Sequence, residues 1–338
     1  MTLPTSRLTI VMPAYNAAKY ISEAVDSLLK QTFQNFQLWI IDDGSIDGTR
    51  TVIEGINDPR VSKIYHNENR GRVAVVNEVV VKIQTEFFTI TDADDASHPV
   101  RLEKQIALLD EDKELIMCGT SYSAIDEHGY VIRHMNLQTN YQFIREAILK
   151  RPQFHGPTTV MRKRVIEVFP EFYRTYFKDN MADSDLASRI VDQFKAVNLS
   201  ERLYYYRILE TSLSRKGYTI RFANLDNLIA SLSKQRRTEG ADDLMNNNSE
   251  KVDQRLKEMS QRYEVNLSLI YQQAATYHLY WKMDSEAWKN IVKAFMLKPF
   301  YIKNFALLIF ILVMIGRNSI LKMGKPHYKT FFKTPDLN

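Results

Sequence analysis

Apolar residues along the first hundred positions fall in short runs broken by polar turns, and the spacing within the runs alternates between two periods. Leu8–Met12, Phe36–Ile41, Val61–Tyr65 and Phe87–Thr91 are β-branched or aromatic runs of strand length. Between them, Tyr20-Ile21, Ala24-Val25 and Leu28-Leu29 recur at helical spacing, and the pattern predicts further helices around 51–56 and through 73–83. Strands separated by helices make βαβ units. The first half therefore predicts an α/β fold, Rossmann-like, with a mainly parallel sheet flanked by helices.

In such a sheet the connecting loops converge beyond the carboxyl ends of the strands, and ligands bind there. The residues at those ends are Tyr15-Asn16 after the first strand, "DDGSIDGT" from Asp42 after the second, and "TDADD" at 91–95 after the fourth. One Asp can cap a turn or the helix that begins near Ser97-His98-Pro99. Three carboxylates within four positions, Asp92, Asp94 and Asp95, repel one another unless something positive joins them. A hard cation such as Mg²⁺ takes one or two protein carboxylates and fills its shell with substrate phosphates.

Composition bounds the rest. The chain has 338 residues, 45% of them hydrophobic, which suits one large or two smaller folded domains. Its single cysteine, Cys118, lies in an apolar strand and predicts a buried thiol in a reducing compartment. "MTLPTSR" runs straight into the first strand without the pattern of a signal peptide, so the expected location is cytoplasmic. The net charge of +5 is uneven: residues 287–335 hold nine Lys or Arg and no Asp or Glu, whereas residues 1–286 carry −3. No zinc spacing or RNP-type motif accompanies the basic residues, and no nucleic-acid partner is expected.

No G-x-G-x-x-G follows the first strand and no P-loop signature occurs, which argues against a dinucleotide site and a P-loop nucleotidase. The combination of "TIVMPAYNAAKYISEAVDSLLKQTFQNFQLWIIDDGSIDGT" at 9–49, "NRGRVAVVN" at 69–77, "TDADD" at 91–95 and "RLEKQ" at 101–105 resembles the family 2 glycosyltransferases, inverting nucleotide-sugar enzymes of the GT-A fold, here of a bacterial surface-polysaccharide type. The likeness is close over about 7–120 and looser over 150–215.

That resemblance implies a role for each motif residue. Pro13 and Tyr15 border the nucleotide, with the Tyr15 ring stacked on the base. Asp43, with Asp42 beside it, reads the base, Arg70 or Arg72 lies near the nucleotide with a guanidinium that suits its phosphates, and Asp92 contacts the ribose or the metal shell. Asp92 and Asp94, as the DxD pair, hold Mg²⁺ or Mn²⁺ on the diphosphate. "NMADSDLASRI" at 180–190 occupies the place of the catalytic acidic cluster, which makes Asp183 the expected base and Asp185 the runner-up. A plain helix start is the other reading of the same residues. His155, in "HGPTTVMRK", falls on the acceptor side. Many relatives carry a His where this chain has Leu209, and Arg207 or Arg215 could supply the positive charge in its place.

The expected organisation is a glycosyltransferase domain over 1–220, with a nucleotide-binding half at 1–105 and an acceptor half at 106–220, followed by a helical region at 221–338. Residues 234–251, "KQRRTEGADDLMNNNSEK", read as a polar linker or exposed loop. Eleven unbroken apolar residues, Phe305–Ile315, are too few to span a bilayer. Their flanking lysines suit an anionic membrane surface, and a buried helix is the alternative. The expected partners are a nucleotide-sugar donor, most simply a UDP-sugar, a glycan or lipid-linked acceptor, and the inner face of the cell membrane. A silent nucleotide-sugar-binding subunit and a sugar-1-phosphate nucleotidylyltransferase are the competing functions.

Overall fold

A computed structural model describes residues 6–178, 180–209 and 218–323 of the chain, with only the backbone over 319–323. The first half alternates β1 (Leu8–Ala14), α1 (Ile21–Leu29), β2 (Phe36–Asp43), α2 (Thr49–Gly55), β3 (Val61–His66), α3 (Arg72–Val80) and β4 (Phe87–Ile90). Next come β5 (Ala96–Ser97), α4 (Arg101–Glu111), β6 (Leu115–Ile125), β7 (Val131–Met135), α5 (Tyr141–Ala147), β8 (Val160–Arg162) and α6 (Arg164–Val168). The chain then passes through α7 (Ala182–Gln193), β9 (Lys195–Arg207) and α8 (Ile220–Glu239) to four further helices: α9 (Ser249–Val265), α10 (Ser268–Tyr280), α11 (Asp284–Leu297) and α12 (Ile302–Met323).

The sheet runs β3-β2-β1-β4-β8-β6-β9-β5, with β7 paired to β6. The strands β3, β2, β1 and β4 are parallel, whereas β8 pairs antiparallel with both β4 and β6, and β5 with β9. The sheet is thus parallel in its first half and mixed beyond β4. Alternate residues Leu8, Ile10 and Met12 of β1 meet Ile21, Val25 and Leu28 of α1 and Leu102, Ile106 and Leu109 of α4 in one core. Every residue of β6 is buried, and burial pushes the Cys118 thiol up to about 12. It is an inert core group.

The chain divides into two compact units. One comprises the residues through Ala124, Arg133–Arg207 and Ile229–Asp242; the other comprises Ile125–Ile132, Ile208–Leu228 and the residues from Asp243 onward. The second unit has its own small core of Ala275, Leu279, Ala287, Ile291, Ala294 and Ile311. Two expectations change here. Residues 234–239 are helical, and Arg236 and Asp242 are buried, so the first half of the polar stretch is not a linker. The apolar run lies in α12 and is divided by face: Ile311 is buried, while Phe305, Ile309, Leu312 and Val313 are about half exposed or more.

Candidate active site

Parallel pairing lines up three strand ends. Ala14 lies opposite Asp42, Asp43 opposite His66, and Val11 opposite Ile90, so Tyr15, the Asp42-Asp43 pair and the 91–95 segment emerge along one sheet border. Pro13 remains within β1, opposite Ile41, and Tyr15 beyond it is 46% exposed. The "SIDGT" loop is laced to the β1–α1 turn. Ser45 Oγ accepts from the Asn16 amide at 3.0 Å, Asp47 from Ala18 at 3.2 Å, and Thr49 Oγ1 from Ala17 at 2.7 Å.

The two carboxylates ending β2 do different work. Asp42 is fully buried and accepts from the Ser45 amide at 3.1 Å and Arg50 Nε at 2.9 Å, which makes it a structural anchor. Asp43 accepts the Arg70 amide on one oxygen at 3.0 Å and the Gly71 amide on the other at 2.9 Å. It therefore holds the "NRGR" loop against the strand end. The approach is so close that a Cβ on Gly44 (φ +69°) would lie 2.4 Å from the Glu68 carbonyl carbon. A carboxylate has about four acceptor positions, so Asp43 keeps capacity for a further donor.

The two arginines of that loop part company. Arg70 pairs with Glu78 on α3 and is not brought to the carboxylate cluster. Arg72 donates to Asp92 through Nη2 at 3.0 Å and Nε at 3.2 Å, with its guanidinium 5.6 Å from the centre of the Tyr173 ring. Burial works against its charge, but Asp92, then Tyr173 and Asp183, outweigh it and hold the group well above its ordinary value. Arg72 is thus the positive centre between the DxD segment and the start of α7. Sequence patterning gave no sign of Tyr173. Its amide and carbonyl are both held by the Asn77 side chain, 96 positions earlier, at 2.9 and 2.7 Å.

Asp94 is half-buried, and burial together with the neighbouring Asp92 pushes its carboxyl up to about 7. Asp95 is buried and raised by that burial and by Asp94 and then Asp92; it accepts the Arg207 amide at 2.7 Å. Arg207 also donates to the Asp94 carbonyl at 2.8 Å and to Glu23 at 2.9 Å. It is therefore a buried cation fixed beside the acidic segment. Leu209 stands two residues on; Arg215 lies outside the described residues.

Among the described residues no cluster of three or more His, Cys, Asp or Glu forms a complete metal cage. Two carboxylates, one of them raised by burial and by the charge of the other, nevertheless fit a Mg²⁺ or Mn²⁺ ion that draws its other ligands from a diphosphate and water. Asp94 is the better donor, because Asp92 is already engaged by Arg72.

Across from these, Asp183 lies in the first turn of α7 and accepts the Ser184 amide at 2.8 Å. Its carboxylate presses on Gly156, where an added Cβ would fall 2.4 Å from Oδ2. Asp183 borders a cavity walled by Phe154, Met161, Tyr173 and Leu186. Asp185 is placed differently: it is fully buried, with Arg189 Nε at 2.8 Å and Arg174 Nη1 at 3.4 Å. It is closed off as a proton acceptor for a substrate. His155, next to Gly156, stacks on Tyr122 at 4.4 Å between ring centres, with Tyr206 at 4.6 Å.

The geometry can be set beside known proteins. Residues 9–169 match the family model for glycosyl transferase family 2. The glycosyltransferase relative EpsE of Bacillus subtilis (strain 168) is 27% identical over 227 residues, covering 66% of this chain and 80% of EpsE. Several other relatives are longer, and the chain spans only about a quarter of their length. Among solved structures, S. aureus TarS 1-349 in complex with UDP-GlcNAc is 17% identical with a TM-score of 0.58, covering 95% of this chain and 93% of that one. The mannosyltransferase PcManGT from Pyrobaculum calidifontis, in complex with GDP-Man and Mn²⁺, is 17% identical with a TM-score of 0.53, covering 93% and 88%. At that identity the likeness speaks for the shared GT-A fold. With the family match over the βαβ half and the strand-end carboxylates in place, residues 9–169 are a glycosyl transferase family 2 domain.

Proposed function

We propose that the chain is an inverting glycosyltransferase that moves a sugar from a UDP-sugar to a hydroxyl of a glycan or lipid-linked acceptor in cell-surface polysaccharide synthesis. The observation that carries this reading is Arg72, 3.0 Å from Asp92 and under the influence of both Tyr173 and Asp183. It joins the donor side of the site to the acceptor side.

In this reading Tyr15 stacks on the uracil, which contributes about 1–3 kcal/mol. Asp43 accepts from a base N–H with its remaining capacity. Asp94, with Asp92 beside it, would hold Mg²⁺ or Mn²⁺; when bound, the ion would offset negative charge on the diphosphate leaving group. Asp183 takes the proton of the acceptor hydroxyl as that oxygen bonds to the anomeric carbon. The bond from that carbon to the diphosphate breaks on the opposite side, UDP leaves, and the anomeric configuration inverts. Asp42 and Asp185 position the strand end and α7.

Attachment to the membrane is part of the proposal. No helix among the described residues is long and apolar enough to cross a bilayer. The exposed side chains Phe300, Ile302, Phe305, Ile309 and Val313, with Lys298 and Lys303 beside them, suit the interface of an anionic leaflet. This supports a peripheral enzyme on the inner face of the cell membrane, acting where a lipid-linked acceptor is anchored.

The test is turnover of a panel of UDP- and GDP-sugars with and without Mn²⁺, followed by NMR of the product anomer. A UDP-sugar donor and an inverted product are expected. Retention of configuration, or tight nucleotide binding with no turnover of any donor, contradicts the reading.

A further inference from the structure

The densest buried charge in the described residues lies beneath α7, and part of it comes from the stretch that reads as a polar linker. Arg236, near the end of α8, donates to Asp192 at 2.7 Å, to Asp242 at 2.5 Å and to Ser188 Oγ at 2.8 Å. Arg174 donates to both oxygens of Asp242 at 2.9 and 3.0 Å and reaches Asp185 at 3.4 Å. Arg189 closes the set on Asp185 at 2.8 Å and also donates to the Phe172 carbonyl at 2.6 Å. Asp185, Ser188 and Asp242 are fully buried. Burial opposes the charge of Asp242, yet Arg174 and Arg236 outweigh it and keep its carboxyl below the ordinary range.

Apolar residues of the same volume would be as stabilising in such a place, or more so. What a forked guanidinium supplies beyond stability is direction, because each bond fixes an atom rather than a volume. The atoms fixed here belong to α7 itself, at Asp185, Ser188 and Asp192. The helix is entered under strain: Met181, its N-cap, has φ 63°, and Lys178 has φ 53°. Asp183 stands in that first turn, two residues before Asp185.

We propose that residues 229–242 act as a brace that positions Asp183: Arg236 and Asp242 set the place of the first turn of α7 through Ser188, Arg174 and Asp185. The inference rests on the reading of Asp183 as the base. It makes Arg236 and Asp242 positioning residues of the transfer reaction, although they lie far outside the matched residues 9–169.

The experiment uses the full chain and four variants. Arg236→Lys keeps the charge but not the fork, and Asp242→Asn keeps the shape but not the charge. Hydrogen exchange over residues 181–186 should quicken by about 10-fold or more. Peptides from β1 and β2 should exchange as in the parent, and affinity for UDP with Mn²⁺ should be unchanged. With UDP-N-acetylglucosamine as the probe donor, kcat for UDP release should fall by ~10- to 100-fold with KM unaltered, since small misplacement of a reacting group has that effect. Unchanged exchange in 181–186, or faster exchange spread evenly over the whole unit, overturns the brace. Should Asp242→Asn fail to fold, Ser188→Ala, which removes a single hydroxyl, gives the same reading on a milder change. Asp183→Asn separates the two claims. Full activity in that variant refutes the base, whereas the exchange pattern of the other variants still decides the brace.

Discussion

Single side chains decide most of the chemistry, and the sharpest constraint is a side chain that cannot exist. Gly156→Ala would place a methyl 2.4 Å from Asp183 Oδ2, so one of the two must move. The expected result is a fall in kcat of ~100-fold with donor KM held, since the donor half does not touch this contact. A steady-state comparison with matched thermal melts checks it. Asp43 is bound differently, with two backbone N–H groups on its oxygens. Asp43→Ala removes the acceptor of the Arg70 amide and leaves the Gly71 amide with Asn69 Oδ1 at 3.1 Å, and should cost about 1–3 kcal/mol of stability. UDP affinity should fall with it, as read by denaturant unfolding and calorimetric titration. The sequence pointed to Asp43, Arg72, Asp92 and Asp183 because motif spacing carries over from a family. It ranked Asp43 ahead of Asp42 and Asp183 ahead of Asp185 and left Arg70 and Arg72 open, without the contacts that tell the members of each pair apart. In each pair the difference is which neighbour reaches the group first: Arg50 for Asp42, Glu78 for Arg70, and Arg174 with Arg189 for Asp185.

At the level of elements, period and β-branching were enough to find β1 to β4 and the helices between them, because each buries a regular face in one core. Strands are legible in "HGPTTVMRK" at 155–163 and in the tyrosine-rich stretch from 203, but the antiparallel pairing of β8 and β9 is set by partners far along the chain, and local pattern has little to say about it. The end of α8 was hidden for a related reason. "KQRRTEGADD" has the composition of an exposed loop, and only the facing charges of α7 make a core of it. Asp185 lies at the centre of that core. Asp185→Asn removes the carboxylate that faces the buried Arg189, whereas Arg174 keeps Asp242, and should therefore destabilise the fold by about 3–5 kcal/mol, visible as a lowered denaturant midpoint, while donor affinity in the folded protein stays as it was.

For the whole molecule, charge asymmetry and the apolar run at 305–315 pointed to the last fifty residues as a surface-seeking region. The structure divides that run between a small helical core around Ile311 and an exposed face. Replacing Phe305, Ile309 and Val313 with Asp should abolish pelleting with anionic vesicles and leave the helical content unchanged; neutral vesicles should bind the parent poorly, and salt should weaken what remains. Equal pelleting of parent and variant would remove the membrane from the account. The most direct measurement of the central claim is a crystal structure of the chain soaked with UDP and Mn²⁺. Density for the uracil against Tyr15 and Asp43, with the metal on Asp94 and the diphosphate, is the predicted result. A nucleotide bound elsewhere, with those three side chains untouched, would contradict it.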